Sequence, residues 1–134
     1  MIPSPAVLRT LAFCAAATAG VLACSAPAQA ETRQCFPARM LSSWNDAGDG
    51  MVYLRVGIRD FYELKLAGSC TDLPFAETIG LETRGGSSFI CSGLDVNIIV
   101  PSGVTHTIAQ RCMGASLRKL SAEEAKAIPS KHRP

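Results

Sequence analysis

Three features of the chain predict a mainly β fold: a small antiparallel, partly barrel-like sheet with a short C-terminal helix. Short runs of apolar–polar alternation recur between Arg39 and Leu120. Clusters of Gly, Asn, Asp, Ser and Pro separate them, and one helix-start signal follows the last run. An α+β sheet with that helix over one end is the alternative.

Arg39–Trp44 is the first expected strand, and Asn45-Asp46-Ala47-Gly48-Asp49-Gly50 is a turn built of residues that tolerate tight backbone geometry. In Met51–Val56, Val52, Leu54 and Val56 share one face. Gly57-Ile58-Arg59-Asp60 reverses the chain. Phe61–Leu66 then alternates again, with Tyr62, Leu64 and Leu66 inward and Glu63 and Lys65 outward, which completes a hairpin. Asp72–Thr78 is a helical turn or a loop, packed through Leu73 and Phe75. Ile79–Thr83 is a strand, Arg84-Gly85-Gly86-Ser87 a tight turn, and Ser88–Cys91 the returning strand. Val96–Val100 is a strand stopped by Pro101-Ser102-Gly103, and Cys112–Leu120 is the last, with Leu117 inward. Ser121-Ala122-Glu123-Glu124 is a capping box that starts a helix from Ala122 to about Ile128, ended by Pro129.

Residues 1–30 have the form of an export signal. Arg9 supplies a positive charge, Leu11–Cys24 an apolar run, and Ala28-Gln29-Ala30 the small residues before a cut at Glu31. The run is shorter than the roughly 20 apolar residues of a membrane span. Cleavage after Ala30 leaves residues 31–134 as a single periplasmic domain. A rival cut before Cys24, within Val21-Leu22-Ala23-Cys24, would leave an acylated cysteine and a lipid-anchored domain. Leu22 is larger than is usual beside such a cut, so soluble export is preferred.

The formal charge of +2 falls to about +1 once Arg9 leaves with the signal. Arg33, Arg39, Arg55, Arg59, Arg84, Arg111 and Arg118 are scattered rather than blocked together, which argues against nucleic-acid binding. Lys131-His132-Arg133-Pro134 is expected to be a frayed, solvated end.

Cys35, Cys70, Cys91 and Cys112 remain after cleavage at Ala30. Four cysteines in an oxidising compartment, with no C-x-x-C pair, predict two structural disulfides rather than a redox or zinc centre. If the strands follow one another as a meander, Cys70 and Cys91 meet at one end and Cys35 and Cys112 at the other. Cys70–Cys91 and Cys35–Cys112 are therefore the expected bridges.

Candidate sites compete with plainer roles. Asn45–Gly50 superficially resembles a calcium loop, but Ala47 and Val56 fall where ligands are needed, so an acidic turn is expected. Arg84-Gly85-Gly86-Ser87-Ser88 offers amides and a guanidinium to an anion, yet lacks P-loop spacing and is expected to be a hairpin turn. His106 could act as a base with one of Ser42, Ser87, Ser88, Ser92 or Asp95, but no nucleophile motif selects a partner. Trp44, Tyr53, Phe61 and Phe89 are either a recognition patch or, more commonly in a small sheet, core.

One ordered constellation stands out. It comprises Cys35-Phe36, Trp44, Val52–Val56, Tyr62-Glu63-Leu64, Leu66–Cys70, Ile79-Gly80-Leu81, Ile90-Cys91-Ser92, Arg111-Cys112 and Leu120–Glu124. It resembles a family of small exported proteobacterial proteins classed only as a domain of unknown function. The resemblance implies a Gram-negative source, an envelope location and a four-cysteine domain; it carries no activity and no catalytic residues.

The chain is therefore expected to be a non-enzymatic binding or structural module of the envelope, without catalytic, metal or cofactor residues and with an envelope ligand or protein as partner. Membrane association is expected only through an acylated Cys24. The alternatives are a small periplasmic hydrolase using His106 with a nearby Ser or Asp, and a thiol-reactive redox protein.

Overall fold

The computed structural model describes residues 34–102 and 108–134. The expected cleavage site at Ala30-Glu31, the alternative at Cys24, and His106 lie outside the described residues.

The fold is mainly β, and its sheet curls into an antiparallel half-barrel. The strands are β1 (Phe36–Pro37), β2 (Leu41–Gly48), β3 (Met51–Val56), β4 (Asp60–Leu66), β5 (Gly80–Thr83), β6 (Phe89–Ile90), β7 (Val96–Ser102) and β8 (Ile108–Lys119). Six of them form one sheet in the order β2-β3-β4-β8-β7-β5, while β1 and β6 form a separate ribbon. The curl originates in β8, which pairs with β7 through Ile108–Met113 and with β4 through Gly114–Lys119. Lys65 faces Ser116 and Leu66 faces Gly114, so Ala115 has no partner on β4. An unpaired residue of this kind bends a strand and increases its twist.

The alternation places Val52, Leu54, Val56, Tyr62, Leu64, Val96, Ile98, Val100 and Cys112 on the inner face, all buried. A half-barrel leaves that face open, and the ribbon closes it. The Phe36 ring lies 4.7 Å from the Tyr62 ring, and Ile90 is fully buried. Beyond the ribbon the chain makes a 3-10 turn, Gly93–Asp95, held by a capping box; the Asp95 carboxylate accepts from the amides of Cys91 (3.0 Å) and Ser92 (2.7 Å). This turn lies backbone to backbone on the bend of β8. A Cβ on Gly93 would stand 2.3 Å from the Ser116 nitrogen, and one on Gly114 2.2 Å from the Gly93 oxygen. Both positions require glycine because backbone cannot move aside.

The disulfide pairing corrects the sequence-based expectation. The bridges are Cys35–Cys91 and Cys70–Cys112, with Cα atoms 4.1 and 5.7 Å apart. The expected Cys70–Cys91 and Cys35–Cys112 assumed that Ser88–Cys91 returns alongside β5. Instead β5 pairs with β7, and β6 crosses the inner face to pair with β1, which brings Cys91 to Cys35. Gly114 of β8 faces Leu66 at the end of β4, so Cys112, two residues earlier, lies near Cys70. On the chain-entropy model, closing 56- and 42-residue loops stabilises by about 4 kcal/mol each.

Other expectations shift as well. The first strand extends to Gly48, and its turn is confined to Asp49-Gly50. Arg84–Ser87 turns the chain but does not join paired strands. Phe75 is not packed inward, being 86% exposed, whereas Leu73 is buried. Trp44, Tyr53 and Phe61 are only half-buried and Phe89 is exposed; the core aromatics are Phe36 and Tyr62.

Helix α1 (Ala122–Ala127) begins with the expected reciprocal cap between Ser121 and Glu124. Arg118 bridges Glu63 of β4 and Glu124, docking α1 on the outer face. The Ser121 amide and the Arg118 guanidinium hold the Glu124 carboxyl below its ordinary range. The C-terminal residues are not frayed. Arg133 donates to the carbonyls of Lys126 (2.8 Å) and Ile128 (2.9 Å), and His132 Nδ1 donates to the Asp46 carbonyl at 3.0 Å. That last bond occupies an acceptor on β2, an edge strand, and so protects it from stray pairing.

Two outcomes follow from this architecture. Peptide mapping without reduction should recover Cys35 linked to Cys91 and Cys70 linked to Cys112, and mild reduction should open the first pair first, because Cys35 is exposed and Cys112 buried. Gly93→Ala should destabilise the domain by about 3 kcal/mol, lowering the melting temperature by roughly 15 °C. An unchanged melting temperature would mean that the turn does not lie on β8.

Candidate functional site

A concavity lies at the end of the sheet where β2 turns into β3 and where β4 ends. The turn is tight because Gly48, Asp49 and Gly50 all take positive φ (83°, 51° and 70°). Asp46 sets it up, its Oδ1 accepting from the Gly48 amide at 3.1 Å. The end of β4 grips the turn through a bond from the Leu66 amide to the Gly50 carbonyl, 2.7 Å.

Facing the turn is an arm, Ala67–Pro74, that leaves the sheet but is fixed at several points. The Ala67 amide donates to the Met113 carbonyl at 2.8 Å, and Cys70 is bonded to Cys112. The Gln110 side chain accepts from the Asp72 amide and donates to Thr71 Oγ1, each at 3.0 Å. A 3-10 turn, Leu73–Phe75, then drops Leu73 into the core and leaves Phe75 in solvent.

Two clefts flank this turn. One, of about 490 Å³, lies between Asp46, the Gly48–Gly50 turn and Leu66–Pro74. The other, of about 330 Å³, lies between Trp44–Asp46 and Leu73–Glu77. Asp46, Leu73 and Pro74 line both, so the clefts are neighbours with a shared wall. Their ionisable lining residues are Asp46, Asp49 and Glu77, all acidic. Trp44 packs partly on the core and gives the second cleft its aromatic wall.

A second polar group sits on the outer face of β5, β7 and β8. Glu82 accepts from Arg111 Nε (2.8 Å) and from Asn97 Nδ2 (3.1 Å), and these two donors hold its carboxyl below the ordinary range. This arrangement cross-links three strands. Among the described residues no group of three His, Cys, Asp or Glu side chains is placed to hold a metal ion.

The sequence-based candidates are dispersed by the fold. His106 lies outside the described residues. Ser42 donates to the carbonyls of Arg55 and Gly57 and so braces the β3–β4 turn. Ser87 bonds Phe89, while Ser92 and Asp95 belong to the cap of the Gly93 turn. The Asn45–Gly50 segment, weighed as a calcium loop, instead contributes carboxylates to the clefts. The contribution of the arm was missed, because Gly68-Ser69-Cys70-Thr71 carries only loop character. The signal that could have revealed it is Cys70, which must be anchored elsewhere in the chain.

Two disulfides fit an extracytoplasmic protein. Among the described residues no helix is long and apolar enough to cross a membrane. No curated protein and no solved structure matches the chain. A family model does, over residues 3–133. The chain thus belongs to a family of unknown function, DUF6491.

Proposed function

We propose that this chain is an exported domain of a Gram-negative envelope and that it works by binding a ligand in the two clefts beside the β2–β3 turn. The observation that carries this reading is a concavity whose walls are held in place before any ligand arrives. Cys70–Cys112 and Gln110 fix one side, and the Asp46–Gly48 bond fixes the other. Pre-formed clefts with a few polar groups on an otherwise packed scaffold are the usual form of a binding site. Asp46 and Glu77 beside Trp44, with Asp49 in the adjoining cleft, suit a ligand that presents a cationic group next to an apolar one, as a lysine-bearing peptide segment does.

Trp44 is the only tryptophan, so its emission reports on the second cleft directly. Trilysine should change that emission saturably, 0.5 M salt should weaken the effect, and triglutamate should leave it unchanged. Asp46→Asn keeps the acceptor for the Gly48 amide while removing the charge, and should weaken trilysine binding at least fivefold. A silent trilysine titration, or an Asp46→Asn variant that binds as well as the parent, would reject the clefts as the site.

Export is supported by the signal-like residues 1–30 and by the two disulfides. The intact mass of protein from a Gram-negative envelope should begin at Glu31. A mass beginning at an acylated Cys24 would make the domain lipid-anchored, and one beginning at Met1 would set export aside.

A further inference from the structure

The opposite end of the same strands has a different chemistry. The β3–β4 turn projects Ile58 into solvent with 79% of its surface exposed. The turn is braced and cannot fold its apolar tip away. Arg55 donates to the Ile58 carbonyl through Nε (3.2 Å) and a terminal nitrogen (2.9 Å). Ser42 donates to the Gly57 carbonyl at 2.7 Å, and the Gly57 amide donates to the Met40 carbonyl at 2.8 Å. Hairpin turns normally carry polar or small residues, so a rigidly presented isoleucine is an unfavourable choice for a surface that meets only water.

Ile58 is not alone. Met40, beside the same turn, is 47% exposed, and Phe89, on the ribbon that leads to Met40, is 49% exposed. Beside these apolar groups stand Arg39 and Arg59, both exposed, each adjoining an exposed apolar residue in the chain (Met40 and Ile58). Neither makes an ion pair among the described residues, and Asp60, the acid nearest the tip in sequence, is already bound to Lys119 at 2.9 Å. Scattered exposed apolar side chains are ordinary, but several rimmed by unpaired arginines mark a contact surface.

We infer that this end is a membrane-facing surface that rests on anionic phospholipid, with Ile58, Met40 and Phe89 entering the interfacial layer and the arginines meeting headgroup phosphates. Charge complementarity favours a lipid surface over another apolar partner, since arginine pairs with phosphate in a two-pronged geometry. The surface acts with or without acylation at Cys24, and it is independent of what the clefts bind.

The test uses the exported domain, residues 31–134, with vesicles of phosphatidylcholine alone and of phosphatidylcholine with 30% phosphatidylglycerol. Binding to the anionic vesicles should exceed binding to neutral ones at least tenfold and fall in 0.5 M salt. Ile58→Ser should weaken it about tenfold and Arg59→Ser about fivefold, with the melting temperature of each variant unchanged. Lys65→Ser removes one charge at the other end of β4 and should leave binding as it was. Ile58→Trp, made together with Trp44→Phe so that it is the sole tryptophan, should be quenched by brominated lipid in the anionic vesicles. Equal binding to both vesicles, an equal loss from Lys65→Ser and Arg59→Ser, or an unquenched Trp at position 58 would overturn the inference.

Discussion

The fold depends on one close backbone contact, that of the Gly93 turn against the bend of β8. β8 serves two partners, and the unpaired Ala115 lets its two halves run in different directions. That bend turns a flat sheet into a half-barrel and creates an inner face that must be covered. The cover is the β1–β6 ribbon, and its second strand enters the Gly93 turn directly. Any side chain at Gly93 or Gly114 would lift the turn off β8. With it would go Ile90, fully buried, and the contact between Phe36 and Tyr62. The burial of the hydrophobic core is therefore contingent on two absent methyl groups.

What was legible in the sequence was the face of each strand, and what was hidden was its partner. Val52, Leu54 and Val56 announce their common face because a strand repeats every two residues, and each is buried. The helix start at Ser121 and Glu124 was equally clear, since a capping box is a local interaction. Strand pairing is not local. β1 and β6 lie more than fifty residues apart and contribute two residues each, too few for any periodicity to reveal. A meander was the simplest guess and put Cys91 with the wrong partner. Phe75 and the C-terminal tail misled for related reasons. An aromatic residue in a loop has no periodicity to say which way it points. The tail is held by carbonyls of Asp46, Lys126 and Ile128, which no side-chain pattern records.

The candidate surfaces are separated by the length of β3 and β4, about 20 Å. One end gathers Asp46, Asp49 and Glu77 around two clefts, while the other displays Arg39 and Arg59 beside Met40 and Ile58. The overall charge hides this polarity, because opposite ends nearly cancel in a sum of +2. Scattered arginines in sequence gave no sign of a patch, since the segments of Arg39 and Arg59 come together only through the bond from the Gly57 amide to the Met40 carbonyl. A domain lying with its arginine end on a bilayer would hold its acidic clefts away from the anionic surface, where a cationic ligand could reach them.

Each disulfide braces one of these surfaces, which gives the cysteines a role beyond stability. Cys70–Cys112 anchors the arm that forms a wall of the larger cleft. Cys35–Cys91 closes the ribbon that carries Phe89 and leads into Arg39 and Met40. Both segments lie outside the six-stranded sheet and are tied to it by few core side chains, Phe36 and Ile90 from the ribbon and Leu73 from the arm. With so few, they would open more readily than the strands beneath. Covalent linkage lets a small sheet carry two fixed peripheral structures. It also makes their geometry conditional on an oxidising compartment, so that the surfaces would be complete only after the chain had left a reducing one.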